Sequence, residues 1–304
     1  MKRKVIQLAG KTLVVSLPRK WVKKIGVRKG DEVEVEDAGN KVTITANKEL
    51  GIEKVQVNLD SANPRLMRWA LSALHKSGYD EIDARYQNSD AAKILQELVK
   101  DLFIGFAVTE QSSNRSVLRS LAREMPGEFD VTLRRAFLVT LSMGESLLEY
   151  MNERRFKETR ELLALESTNN QLTNFCERIL IRNGYREYRK TCFAYVIVWN
   201  LEKVCDNYKY IINHIAHKEK MMVNDETISF LGQCNLLLRA YYELYYRFDS
   251  SKLNGMIDMK KEAEDKGKSL LGRANIDEAV IVSCLLQHIT QVSDFSASFI
   301  ALNT

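Results

Sequence analysis

The first thirty residues carry ten Lys or Arg and no Asp or Glu. The whole chain of 304 residues has 45 basic and 40 acidic residues, a formal net charge of +5, so everything after residue 30 is mildly acidic. Positive charge concentrated at one end of such a chain is the footprint expected for a polyanion. Duplex DNA is the leading candidate, because each neutralised phosphate releases a counterion and adds affinity that does not depend on sequence. A second constellation is Glu202 with Asp206, one helical turn apart. Two bare carboxylates at that spacing repel, so a counter-charge or a hard metal ion beside them is favoured. The alternative is a pair of solvated acids next to Lys203 and Lys209. His214 and His217 lack Cys or carboxylate neighbours at metal-ligand spacing and read as surface histidines. Tyr241, Tyr242, Tyr245 and Tyr246 recur every four residues, which suits packing against a core or a second chain. No phosphate-cradling Gly-rich loop, nucleophile elbow or zinc-protease helix is present, and the chain reads as a non-enzyme.

The basic block needs elements to hold it. Val5, Ile6 and Leu8, then Leu13, Val14, Val15 and Leu17, are short β-rich runs separated by a turn at Ala9-Gly10-Lys11. Pro18 suits the first turn of a helix, in which Trp21, Val22 and Ile25 share a face and Gly26 ends it. Val33 and Val35 alternate with acids, Asp37-Ala38-Gly39-Asn40 reads as a hairpin turn, and Val42 and Ile44 alternate with threonines. Strand, strand, short helix, strand, strand in under fifty residues is too small a unit to bury a good core, and it leaves open strand edges. Pairing two copies would solve both problems.

The run Gly10-Lys11-Thr12-Leu13-Val14-Val15-Ser16-Leu17-Pro18-Arg19-Lys20-Trp21-Val22, followed by Ile25-Gly26-Val27-Arg28-Lys29-Gly30-Asp31-Glu32-Val33, resembles the AbrB/MazE/SpoVT family of DNA-binding domains over about residues 3–46. The resemblance implies a swapped-hairpin β-barrel built from two chains, and hence a homodimer. It also implies DNA contacts from loop and helix-start cations, here Lys11, Arg19, Lys20, Lys23 and Lys24, with Lys2, Arg3 and Lys4 as a flexible arm.

Beyond the head, Pro64 opens a helical stretch to Ser77, Ile82, Ala84 and Tyr86 suggest a strand, and a second helix is expected over about 90–102. Residues 104–109 and 115–118 read as strands, so 51–123 forms a small α/β connector. After Pro126 no proline occurs, and helices are expected at about 128–152, 155–182, 186–218, 223–249, 252–270 and 275–302. Three helices followed by three of similar length suggest a duplicated three-helix bundle, with repeats at about 128–218 and 223–302. The expected fold is therefore multi-domain α+β: a DNA-binding head (1–50), the connector (51–123) and a helical domain (124–304).

The third long helix has an apolar stripe, Ala194, Ile197, Val198, Leu201, Val204, Cys205, Tyr208, Ile211, Ile212 and Ile215. Its segment Trp199-Asn200-Leu201-Glu202-Lys203-Val204-Cys205-Asp206 is similar to the Leu-Glu-Arg-Ile-Gly-Asp segment of the PhoU family, which carries it on the third helix of each of two bundles. The second copy falls at His288–Asp294, with Thr290 where the Glu would stand. That resemblance, over about 124–304, implies a divalent or iron-type metal held by Glu202, Asp206 and Asp294. It also implies a role in phosphate homeostasis. Joined to the head, it gives a transcriptional regulator of phosphate uptake. The alternative is an adaptor that docks on a phosphate transporter or sensor kinase without specific DNA binding. Cys176, Cys192, Cys205, Cys234 and Cys284 sit among apolar residues at wide spacing and read as reduced core thiols. With no long apolar run and no signal-like N-terminus, a cytoplasmic protein without membrane insertion is expected.

Overall fold

The computed structural model describes residues 2–37, 42–46, 52–60, 63–87, 89–121, 127–218 and 221–304. Its elements are β1 (Val5–Leu8), β2 (Thr12–Val15), α1 (Arg19–Ile25), β3 (Glu34–Asp37), β4 (Val42–Thr45), β5 (Lys54–Asn58), α2 (Pro64–Lys76), β6 (Glu81–Arg85), α3 (Ser89–Asp101), β7 (Phe106–Gln111) and β8 (Arg115–Ser120), followed by helices only. These are α4 (Glu128–Asn152), α5 (Leu163–Asn183), α6 (Thr191–Ile215), α7 (Asp225–Tyr246), α8 (Lys252–Leu271), α9 (Ile276–Ser293) and α10 (Phe295–Asn303). The result is a mixed α+β chain dominated by helix. Contacts divide it into two compact units, residues 1–53 and 54–304.

In the first unit β1 pairs antiparallel with β2, and β3 with β4. The four strands make two separate two-stranded sheets, so the barrel is not closed within one chain. Among the described residues each hairpin pairs only within itself, which leaves its outer edges open. The predicted hairpin turn at 38–40 lies outside the described residues. Gly26, at φ 71°, ends α1 in the left-handed conformation and returns its N–H to the Val22 carbonyl, as the sequence led us to expect.

The second unit begins with a four-stranded sheet of order β5-β6-β8-β7, in which β5 and β6 are parallel and the remaining pairs antiparallel. Strand β5 was not anticipated, although Val55 and Val57 alternate with polar residues and point into the core beneath α2 and α3. Asn63 caps α2 by accepting from the Leu66 N–H, with Pro64 in the first turn. Across β5, β6, β7 and β8 the more polar face is an ion-pair ladder. Lys54 and Arg119 meet Glu81 at 3.1 and 2.7 Å, while Arg115 meets Asp83 at 2.8 Å and Glu110 at 2.9 Å.

This sheet does not stand apart from the helices. Arg178 on α5 is fully buried, and its guanidinium donates to the carbonyls of His75 (2.9 Å) and Tyr79 (2.8 Å) and to Asp80 Oδ1 (3.0 Å). Arg182, one turn on, reaches the Gly78 carbonyl at 3.1 Å and pairs with Asp80. Two guanidinium groups therefore gather on the carbonyls at and just beyond the C-terminal end of α2, where the helix dipole favours cations. Gly78 adopts φ +90°, and a Cβ there would lie 2.6 Å from Arg182 Cγ, so glycine is required on both counts. Lys76 meets the buried Glu177 at 2.6 Å. Burial pushes the Glu177 carboxyl upward, and Lys76 partly restores it.

The helical remainder shares one core. All ten residues of the predicted α6 stripe are fully buried. Helices α6 and α9, the third of each set of three, pack against one another, while α4 packs on α5, α6 and α7. Asn275 caps α9 in a reciprocal capping box with Glu278, whose Oε1 also accepts from the Asn224 N–H at 2.7 Å at the start of α7. Three boundaries differ from the sequence reading. The stretch at 155–182 starts with a tight turn at Glu158–Leu162, where Thr159 bonds the Phe156 carbonyl. The stretch at 186–218 becomes helical at Thr191, and 275–302 breaks at Asp294 so that Phe295 and Phe299 stack in the core. Cys192 is exposed, unlike the buried Cys176, Cys205 and Cys234.

Two predictions follow from this packing. Arg178→Ala removes the buried guanidinium that bonds Asp80 and the His75 and Tyr79 carbonyls, and should cost the second unit about 3–5 kcal/mol in urea unfolding, with little recovery in Arg178→Lys. Burial, reinforced by Arg178 and Lys76, holds the His75 imidazole neutral and lowers its pKa from 6.5 to about 3. Burial likewise lowers His288 to about 4, against opposing backbone contacts from Val204 and Cys234. Because both folded values are depressed, this stability is complete above the unfolded value and drains as pH falls. From pH 6.5 to 5 each histidine should cost about 2 kcal/mol. Denaturant midpoints across that range should drop, and His75→Phe should remove about half of the histidine contribution.

Candidate nucleic-acid interface

Helix α1 sorts its residues by face. At roughly 100° per residue, Arg19, Lys20, Lys23 and Lys24 fall within one arc, and Trp21, Val22 and Ile25 in another. Arg19, Lys20 and Lys23 are exposed and the three apolar residues are half-buried; the Lys24 side chain lies outside the described residues. The first turn of α1 contains no acid and begins with Arg19 and Lys20. Cations at the positive end of a helix work against its dipole, so local stability does not account for their position. Lys11 is exposed in the β1–β2 turn, where Ala9 and Gly10 have positive φ (50° and 79°) and Gln7 Nε2 donates to the Gly10 carbonyl at 2.8 Å. Lys2, Arg3 and Lys4 precede β1 and are exposed. Arg28 and Lys29, exposed just after α1, extend the basic surface. They were not among the predicted contacts, although the same run of cations contains them.

The predicted barrel residues are open to solvent. Val5 is 64 %, Leu13 69 % and Val42 65 % exposed, and Ile6, Leu8, Val15 and Val35 are also exposed. Among the described residues, none before Leu59 belongs to the buried core.

These observations can be set beside known proteins. Residues 6–51 match the family described as antidote-toxin recognition MazE, bacterial antitoxin. No curated protein and no solved structure matches the chain. The MazE-like segment thus falls within the first unit, whose strand residues are exposed. The PhoU resemblance of residues 124–304 has no counterpart in these comparisons.

The acidic pair on α6 has a different setting from a solvated or metal-filled one. Lys203 Nζ lies 3.2 Å from Glu202 Oε1 and 3.3 Å from Asp206 Oδ2. Lys209 bonds Asp206 and also Glu166 on α5, the latter at 2.7 Å. The Asp206 side chain is only 9 % exposed. Burial pulls the Lys209 ammonium downward, but hydrogen bonds to Asp206 and Glu166 carry it well above its ordinary value. Asp294 sits exposed at the α9–α10 junction, away from this lysine-bridged cluster in sequence and in environment. Among the described residues no group of three or more His, Cys, Asp or Glu is arranged to hold a metal ion. His214 pairs with Asp277 at 3.1 Å rather than with His217, and Tyr241 bonds Ser296 at 2.6 Å within aromatic core packing.

Asp206→Asn should therefore destabilise the fold, by about 1–3 kcal/mol, because it removes the shared partner of two half-buried lysines. Thermal melts with elemental analysis check this: a lower melting temperature and an unchanged metal content are expected.

Proposed function

We propose that the chain is a DNA-binding regulator that acts as a dimer through its first unit. The observation that carries this is the exposure of Val5, Ile6, Leu8, Leu13, Val15, Val35 and Val42 on the strands of the first unit, together with the acid-free first turn of α1 that begins with Arg19 and Lys20. Exposed apolar strands of this kind are stabilised when a second copy covers them, at roughly 25 cal/mol per Å² removed from water. Two copies would also set two basic helices side by side on successive stretches of duplex. Domains of the MazE/AbrB type bind DNA and dimerise, which supports the same reading. The matched family is described as an antitoxin, so a protein toxin is the alternative partner for the same unit.

The sequence likeness of Trp199–Asp206 to the PhoU segment is the support for a phosphate-linked signal and for a transporter or kinase as partner. The lysine pairing of Glu202 and Asp206 favours a structural role for that segment over a metal centre. The sequence carries no phosphate-cradling Gly-rich loop, nucleophile elbow or zinc-protease helix. Among the described residues no helix is long and apolar enough to cross a membrane.

The test uses the full chain. Arg19→Ala with Lys20→Ala should weaken duplex DNA binding at least tenfold and lower the log–log salt slope by about 1.8, at 0.9 per lost phosphate contact. Leu13→Glu with Val35→Lys should shift sedimentation from dimer to monomer and weaken DNA binding with it. A monomeric native chain, or salt-independent binding, would overturn the proposal.

A further inference from the structure

A cleft of about 360 Å³ opens in the second unit between α4, the end of α7 and the start of α8. It is lined by Arg134, Tyr242, Glu243, Tyr246, Arg247 and Lys252. Three cations from three helical elements thus face one carboxylate. This surplus is local: residues 1–53 hold twelve basic and seven acidic residues, which leaves 33 of each sign over 54–304.

Several exposed arginines of this unit are spent on carboxylates: Arg154 with Asp225, Arg155 with Glu153 and Glu158, Arg239 with Glu145, and Arg273 with Glu226. Among the described residues, Arg134, Arg247 and Lys252 make no ion pair, although Lys252 lies close enough to Asp249 to influence it. Three cations gathered around a single carboxylate leave a net positive charge in the empty site, and an anion relieves it. Arg134 is already positioned, with its guanidinium 5.3 Å from the Tyr246 ring centroid. Tyr242 and Tyr246 hold their rings 5.1 Å apart, and the buried Tyr246 hydroxyl has no hydrogen-bond partner. Arginine forks suit the planar spread of phosphate oxygens, and tyrosine faces suit a flat ring. A volume of this size is at the lower end of small-molecule sites.

We propose that this cleft binds a phosphorylated small molecule, with Arg134, Arg247 and Lys252 holding the phosphate and the tyrosine rings contacting the group that carries it. The site lies wholly within residues 54–304 and stands apart from the DNA-binding reading, so either can fail without the other.

Calorimetric titration of the full chain with inorganic phosphate and with adenosine 5′-monophosphate tests it, in the absence of DNA. The mononucleotide should bind saturably, one per chain, and more tightly than phosphate. Equal affinity would also uphold the phosphate site and identify the free ion as sufficient. Arg134→Gln with Arg247→Gln should weaken binding at least tenfold, as expected for the loss of two charge-assisted contacts. Lys252→Met, on a different helix, provides a second variant should the first unfold, and should also weaken it. Failure of both probes to saturate up to about 10 mM, or undiminished binding in the folded variants, would overturn the proposal.

Discussion

A guanidinium sealed from water must find an oxygen for its N–H groups, because an unmet buried charge costs several kcal/mol. Arg178 finds them at the end of α2. That one requirement settles much of the second unit. It fixes α2 against α5, and so sets the sheet that α2 covers against the helical core. It explains why Arg182 follows one turn later and why Gly78 carries no side chain. His75 packs nearby, its ring stacked on Phe103 at 4.3 Å, and burial first, then the Arg178 and Lys76 charges, hold its imidazole neutral.

The first unit follows the opposite logic. Its strands are too few to cover their own apolar side chains, and its cations stand at the positive end of a helix without local compensation. Both features are unfavourable in an isolated chain, and the proposed binding of a second copy and of a polyanion would relieve them. Conflict between local preference and composition is what a binding surface exhibits before its partner arrives.

Charge on the second unit is mostly matched. The sheet carries its ion-pair ladder, and Lys203 and Lys209 tie Glu202, Asp206 and Glu166 together across α5 and α6. Glu278 serves two helix starts at once. Against that background the Arg134, Arg247 and Lys252 cleft gathers three cations around one carboxylate between two tyrosine rings, which is the basis of the proposed anion site.

The sequence by itself determined the helices and the character of the head. The apolar stripe of α6 from Ala194 to Ile215 has a period that only a buried helix face satisfies, and all ten residues are buried. The Leu-Pro start, the acid-free first turn and the Gly26 stop of α1 are local chemistry, legible without tertiary context. Strand β5 was less legible, since five alternating residues acquire meaning only when β6 lies beside them. The partners of charged groups were decided by tertiary structure alone. Glu202 and Asp206 present the same spacing whether they face a metal, water or a lysine, and Lys209 reaches Glu166 across 43 residues of sequence. Arg178 and Asp80 are 98 residues apart, and nothing in either segment names the other. Periodicity reports which face of an element is buried. Only the packed chain decides which opposite charge is buried with it, because ion pairing depends on distance in space and carries no period in sequence.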